Sequence, residues 1–232
     1  MKLTALLVTL VTALSFSSFA QVPKVVKTKS RYLVEQYEVL ATNDTLKTGR
    51  YRKYFRDGNK LLEEGQYDNN RRTGVWTFFN GEGKPELVYD YSSNRVLTNN
   101  RSTLDSMGII QQADANALVR LMPPPIYLAS TYQIGGILMR ELRLPIHLQR
   151  AGITDLWCRP LITVSPNGAH YRAITSHNDK EFNKNAIQAM SIAFKDVQWL
   201  PGSFSGQPVT SIYQLPEIRL HAYAVIRMQT NP

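Results

Sequence analysis

Gly49-Arg50-Tyr51-Arg52-Lys53-Tyr54-Phe55-Arg56-Asp57-Gly58 is echoed about 25 residues later by Gly74-Val75-Trp76-Thr77-Phe78-Phe79-Asn80-Gly81-Glu82-Gly83. Glycine aligns with glycine, Tyr51 with Trp76, Tyr54 with Phe79, and Asp57-Gly58 with Glu82-Gly83. Self-similarity at such a period marks a repeat array. Alternating aromatic and polar residues describe half-buried strands. The Asp-Gly and Glu-Gly pairs supply positive-φ hairpin turns. Each copy closes on a further aromatic strand, Glu64-Gly65-Gln66-Tyr67 and then Leu87-Val88-Tyr89-Asp90-Tyr91. A partial earlier copy spans Tyr32 to Tyr37. One hairpin cannot bury its aromatic side alone, so the copies are expected to join in one sheet.

This pattern, Gly-x-aromatic-x-x-aromatic with an acidic-Gly turn and a closing aromatic, resembles MORN-type repeats over roughly residues 45 to 92. The resemblance implies a scaffold or binding surface rather than catalysis. Its candidate face comprises Tyr51, Tyr54, Tyr67, Trp76, Phe79 and Tyr91. An ordinary meander whose aromatics form core predicts the same fold.

The polar stretch Ser92 to Arg101 reads as a linker. Ala113 to Leu121 has helix-forming composition, stopped by Pro123-Pro124-Pro125. Ile126 to Leu128 reads as a short strand. A helix is expected over Gly135 to Arg143, ended by Pro145. The paired glycines before it lack the GxxxxGK[ST] context of a phosphate loop. Leu156 to Ser165 is a strand that Pro160 assigns to an edge or a bulge. Pro166-Asn167-Gly168 turns it back into a second strand, Ala169 to Ser176. Asn178-Asp179 caps a helix from Lys180 to Phe194, with Phe182, Ala186, Ile187, Met190 and Phe194 at helical spacing. The last strand contains Pro216. Its apolar residues before the proline are Val209, Tyr213 and Leu215, all odd. After it they are Ile218, Leu220 and Ala222, all even. A one-residue bulge at Pro216-Glu217 would keep both sets on one face.

Spread over roughly residues 133 to 221, this succession resembles the TonB C-terminal domain family. The carrying residues are Leu144-Pro145, Pro166-Asn167-Gly168, Asn185 to Met190, and above all the tail from Trp199-Leu200-Pro201 through Gly206 to Gln207-Pro208-Val209. The usual Tyr-Pro is Leu-Pro here, and the usual Glu-Gly before the first strand is Thr154-Asp155. The resemblance implies β-strand addition to the exposed final strand, by an outer-membrane receptor or another envelope protein. An edge strand offers unpaired N–H and C=O groups to an extended peptide. The candidate edge is Val209, Thr210, Ser211, Ile212, Tyr213, Gln214 and Leu215. The fold expectation is therefore α+β: a MORN-like hairpin sheet over 21–95, a connecting segment over 96–132, and a small antiparallel sheet with two helices over 133–232.

The chain opens with Lys2, an apolar run from Leu3 to Leu14, and small residues at Ser18 and Ala20. That is the form of a cleavable secretory signal over residues 1–20, so a periplasmic or envelope location is expected. No cysteine follows the run, so no lipid anchor is expected. Retention of this segment as a membrane anchor would instead suit an energy transducer in transmembrane transport. The 232 residues carry 43% hydrophobic and 19% charged side chains and a net charge of +9. The cations are scattered, which describes a solvated basic surface rather than a nucleic-acid site. A second functional reading is an envelope scaffold whose MORN-like sheet binds cell wall or an anionic surface and whose C-terminal domain forms a homodimer.

Catalytic patterns fail. Lys47-Thr48-Gly49 has no Ser-x-x-Lys partner. His147, His170, His177 and His221 show no metalloprotease spacing. Cys158, the only cysteine, excludes an intrachain disulfide and reads as a buried small hydrophobe. No enzyme activity, cofactor or metal is expected.

Overall fold

The structure, a computed structural model, describes residues 23–101, 123–153 and 155–221. The expected signal segment and the expected helix at 113–121 lie outside the described residues. The protein is α+β. Seven antiparallel strands form the first sheet in chain order: β1 (Lys24–Lys29), β2 (Leu33–Leu40), β3 (Asn43–Phe55), β4 (Leu61–Asp68), β5 (Arg71–Phe79), β6 (Pro85–Asp90) and β7 (Arg95–Asn99). The repeat turns behave as their sequences require, with Gly58 at φ +81° and Gly83 at φ +79°. The β4–β5 turn uses Asn69 and Asn70 at φ 50° and 64°, the residue type that tolerates this region best after glycine.

The stretch expected as a linker, 92–101, is part of this sheet. Asp90 folds the chain back by accepting from the Ser92 amide (2.9 Å) and the Ser93 hydroxyl (2.6 Å). This local acceptor makes a turn out of residues whose polarity suggested a linker. β7 then pairs with β6.

The second half comprises β8 (Ile126–Leu128), α1 (Thr131–Glu141), α2 (Ile146–Arg150), β9 (Asp155–Ser165), β10 (Gly168–Thr175), a 3₁₀ turn (Ser176–Asn178), α3 (Lys180–Ala193), β11 (Gln198–Leu200), β12 (Ser203–Phe204), β13 (Gln207–Pro208), β14 (Ser211–Gln214) and β15 (Ile218–His221). β9 is the centre of a small antiparallel sheet, with β10 along one side and β14 and β15 along the other. Helices α1 and α3 pack against this sheet. α1 begins four residues before the expected Gly135 because Ser130 caps it, accepting from the Gln133 amide at 3.3 Å. Asp179 caps α3 as expected, accepting from the Phe182 amide at 2.9 Å.

The two halves share a core. Phe55 and Leu62 of the first sheet join Ile134, Ile137 and Leu138 of α1 in one buried cluster that continues into β9 and α3. Close approach is possible because Gly136 has no side chain: a Cβ there would sit 2.9 Å from the Phe55 ring. In a second cluster, Tyr51, Trp76, Phe78, Leu87 and Tyr89 lie beneath Ile126 and Leu128 of β8. Polar groups close the seam. Buried Glu86 accepts from the Thr131 amide (2.6 Å) and hydroxyl (2.5 Å), and pairs with Arg101 at 3.2 Å. Arg101 also donates to the carbonyls of Tyr127 and Ala129.

Candidate functional site

The final strand positions the candidate edge. Ser211 to Gln214 pair with Val164 to Leu161, and Ile218 to His221 pair with Cys158 to Asp155. Four steps from Gln214 to Ile218 therefore oppose three from Leu161 to Cys158. That is one extra residue, the bulge that the odd-to-even change of apolar positions predicts. Its effect on packing is as expected. Ser211, Tyr213 and Leu215 are buried before the bulge, and Ile218 and Leu220 pack against the same core after it.

Of the edge or bulge that Pro160 was expected to mark, the bulge is what the structure has. Pro160 lies on β9, the central strand of the sheet. A central proline is tolerated here because it faces the bulge. The Leu215 amide donates to the Pro160 carbonyl at 3.1 Å, and the missing N–H falls where β14 ends.

That bond also fixes which backbone groups of β14 face outward. In an antiparallel ladder, bonded and non-bonded positions alternate. With Leu215 facing β9, so do Tyr213 and Ser211. The N–H and C=O of Ile212 and Gln214 point the other way. Among the described residues β14 pairs with β9 alone. The outward set is narrower than the stretch 209–215. Val209 and Thr210 precede β14, and the Val209 amide donates to the Gly202 carbonyl at 2.9 Å. Ile212 and Gln214 are half-buried. Their register partners on β9, Thr163 and Leu161, lie on the same side of the sheet, opposite the buried row of Cys158, Ile162 and Val164. Farther along that side, Arg159 pairs with Glu217 at 3.1 Å.

The repeat aromatics occupy three settings. Tyr51 and Trp76 are buried beneath β8, with Tyr67 and Tyr91 partly buried beside them. Their rings meet at 5.2–5.7 Å, mostly edge to face. Phe79 is buried but belongs to neither cluster. Tyr54 departs from the expected common face: it pairs with Val34, and alternation puts it opposite Tyr51 and Phe55. The spacing of three between Tyr51 and Tyr54 requires this in a regular strand.

The sequence reading missed the cations that fill this aromatic side. Lys47 Nζ lies 4.4, 5.5 and 5.4 Å from the rings of Tyr37, Tyr51 and Tyr67, and 3.3 Å from Glu35. Arg72 lies 4.1 Å over Trp76 and donates to the Tyr91 hydroxyl at 2.9 Å. Fully buried Glu63 receives Lys53 at 2.8 Å and Arg72 at 3.2 Å, both on Oε1. Burial alone would raise the Glu63 pKa, but Lys53 and Arg72 outweigh it and hold the carboxyl below its ordinary range. Burial, reinforced by Glu63, pushes the Tyr51 phenol up. One signal was available: Lys53 stands two residues after Tyr51, so strand alternation places it on the same side. Cys158 is buried, which pushes its thiol up to about 12.

No family model matches the chain, and neither does any curated protein or solved structure.

Proposed function

We propose that this protein is a non-catalytic, exported envelope module that binds an extended segment of a partner protein by strand addition to β14. The observation that carries the reading is the outward aim of the Ile212 and Gln214 backbone beside a single paired neighbour, β9. Two outward residues offer two donors and two acceptors. At about 1 kcal/mol net for each hydrogen bond, the backbone alone supports roughly millimolar affinity. The partner, an outer-membrane receptor or another envelope protein, therefore gains the rest from side chains meeting Ile212 and Leu161. Such an interface forms and releases readily, which suits a transient contact during transport across the envelope.

Ile212→Pro tests the reading. It removes an outward donor while leaving the β9 ladder intact. Ser211→Pro removes an inward donor and is the destabilised control. A photo-crosslinker at Gln214 should give one discrete envelope-protein adduct, which Ile212→Pro abolishes without changing the circular dichroism spectrum. An undiminished adduct in that variant excludes strand addition at β14.

A further inference from the structure

Between the β1–β2 turn, the end of α1 and the exposed side of α3 lies a polar cleft of about 290 Å³. Arg31, Glu141, Arg143, Asn185, Gln188 and Ala189 line it. Its residues come from both halves of the chain, brought together by the same seam that buries Phe55 against α1.

The charges in the cleft are unequally matched. Arg31 pairs with Glu141 at 2.8 Å, and the Tyr32 hydroxyl donates to the same carboxylate. Both contacts fall on Oε1. One cation thus balances one anion. Arg143 is exposed and makes no hydrogen bond or ion pair among the described residues. The cleft carries one net positive charge, two side-chain amides able to donate, and a carboxylate oxygen, Glu141 Oε2, able to accept.

We propose that this cleft binds a small monocarboxylate bearing a neighbouring donor group, of the α-amino acid or α-hydroxy acid class. Arg143 takes the carboxylate through its planar fork, which matches two oxygens at once. Asn185 and Gln188 donate to the same group from successive turns of α3, being three residues apart. The ligand's ammonium or hydroxyl reaches Glu141 Oε2. A phosphate dianion fits less well because Glu141 stands in the wall and only one cation is uncompensated. The volume lies just below the roughly 300–1,000 Å³ of small-ligand pockets, which favours a ligand no larger than a single amino acid. This site is separate from β14, so it stands or falls independently of strand addition.

Titration of the full chain with alanine and with lactate, followed by the side-chain amide NMR signals of Asn185 and Gln188, tests the proposal. Saturable shifts in the millimolar range are expected. Arg143→Ala, a substitution at an exposed position, should weaken binding at least about tenfold, with Arg143→Lys intermediate. Acetate, which lacks the donor, should bind more weakly than lactate. The absence of saturable shifts, equal binding by Arg143→Ala, or tighter binding of inorganic phosphate than of lactate each overturns the assignment.

Discussion

The carbonyl of Pro160 accepts from the amide of Leu215 at 3.1 Å, at the point where β14 gives way to β15. Here two prolines are reconciled with one sheet. Pro216 opens a one-residue bulge on the outer strand, and Pro160 places its missing donor opposite that bulge. Neither leaves an unsatisfied amide of its own, because neither has one.

Pro160→Ala should therefore destabilise the protein. The unfolded chain regains conformational freedom, and the native sheet already closes at this point without that amide. The entropic part alone is about 0.4–1 kcal/mol. Urea denaturation should show a lower midpoint with an unchanged slope. A midpoint at or above that of the wild type would mean that the bulge supplies an acceptor for the new N–H.

The paired glycines of α1 should respond in opposite directions to alanine. At Gly135 an added Cβ meets nothing within 4 Å, and the residue is exposed in a helix. Gly135→Ala should raise stability by about 0.5–1 kcal/mol. At Gly136 the Cβ would stand 2.9 Å from the Phe55 ring, so Gly136→Ala should cost about 1–3 kcal/mol. Gly65→Ala should cost at least as much, since its Cβ would fall 2.3 Å from the buried Trp76 ring. Thermal melts of the three variants check the order. Equal melting temperatures for Gly135→Ala and Gly136→Ala would refute the close packing of α1 on β3.

What the sequence disclosed was local. The two repeat copies, their positive-φ glycines and the parity change around Pro216 each lie within a few residues and report strand period and turn chemistry directly. Asp179 as a helix cap is legible for the same reason. What stayed hidden depends on partners far away in the chain. Ile126 to Leu128 pair with Leu200 to Gln198, a contact that periodicity cannot disclose. That β9 is central follows from both β10 and the last strands choosing it, a choice that Pro160, read alone as the mark of an edge or a bulge, leaves open. The open run at 209–215 shortens because the Val209 amide finds Gly202. The buried Lys53 and Glu63 and the half-buried Arg72 were hidden by composition: charged residues are read as solvated until a cross-strand partner is known.

Glu63 is a source of acid sensitivity. Its folded pKa lies below the ordinary 4.5. The stability it contributes is fully present above that value and is lost as pH falls through the lower folded value. Glu63→Gln should therefore flatten the fall in stability below pH 4.5 while lowering stability at neutral pH, where Lys53 and Arg72 would be left without their anion. Lys53→Met tests the same cluster from the cation side. Breaking a buried pair costs roughly 3–5 kcal/mol, and the remaining Arg72 should keep the loss near the lower end. Denaturant titrations between pH 3 and pH 7 separate the cases, at roughly the acid range where carboxylates titrate. An acid limb in Glu63→Gln identical to that of the wild type would assign the sensitivity to other carboxylates.

His147 and Asp179 join α2 to the start of α3, and their bond should titrate from both ends. His147 Nε2 lies 2.8 Å from Asp179 Oδ2, and Nδ1 lies 3.3 Å from Glu181. The hydrogen bond to Asp179 is the main cause that raises the His147 pKa above its ordinary 6.5. Its contribution is complete below 6.5 and is lost as pH rises through the folded value. Asp179 is held below its ordinary 3.8, first by the Phe182 amide and then by His147, so its contribution is present above 3.8 and fades as pH falls. The contact is therefore complete between these two ordinary values, in mildly acidic solution. In Asp179→Asn the His147 ring should titrate nearer its ordinary value, because the charged acceptor is gone while Glu181 remains. NMR titration of the His147 ring carbon-bound protons measures this directly. His147→Gln should leave α3 capped, since the Phe182 amide bonds the other carboxylate oxygen of Asp179, and should remove the loss of stability on the alkaline side. A His147 titration unmoved by Asp179→Asn would show that the ring is solvated and that the two residues do not interact in solution.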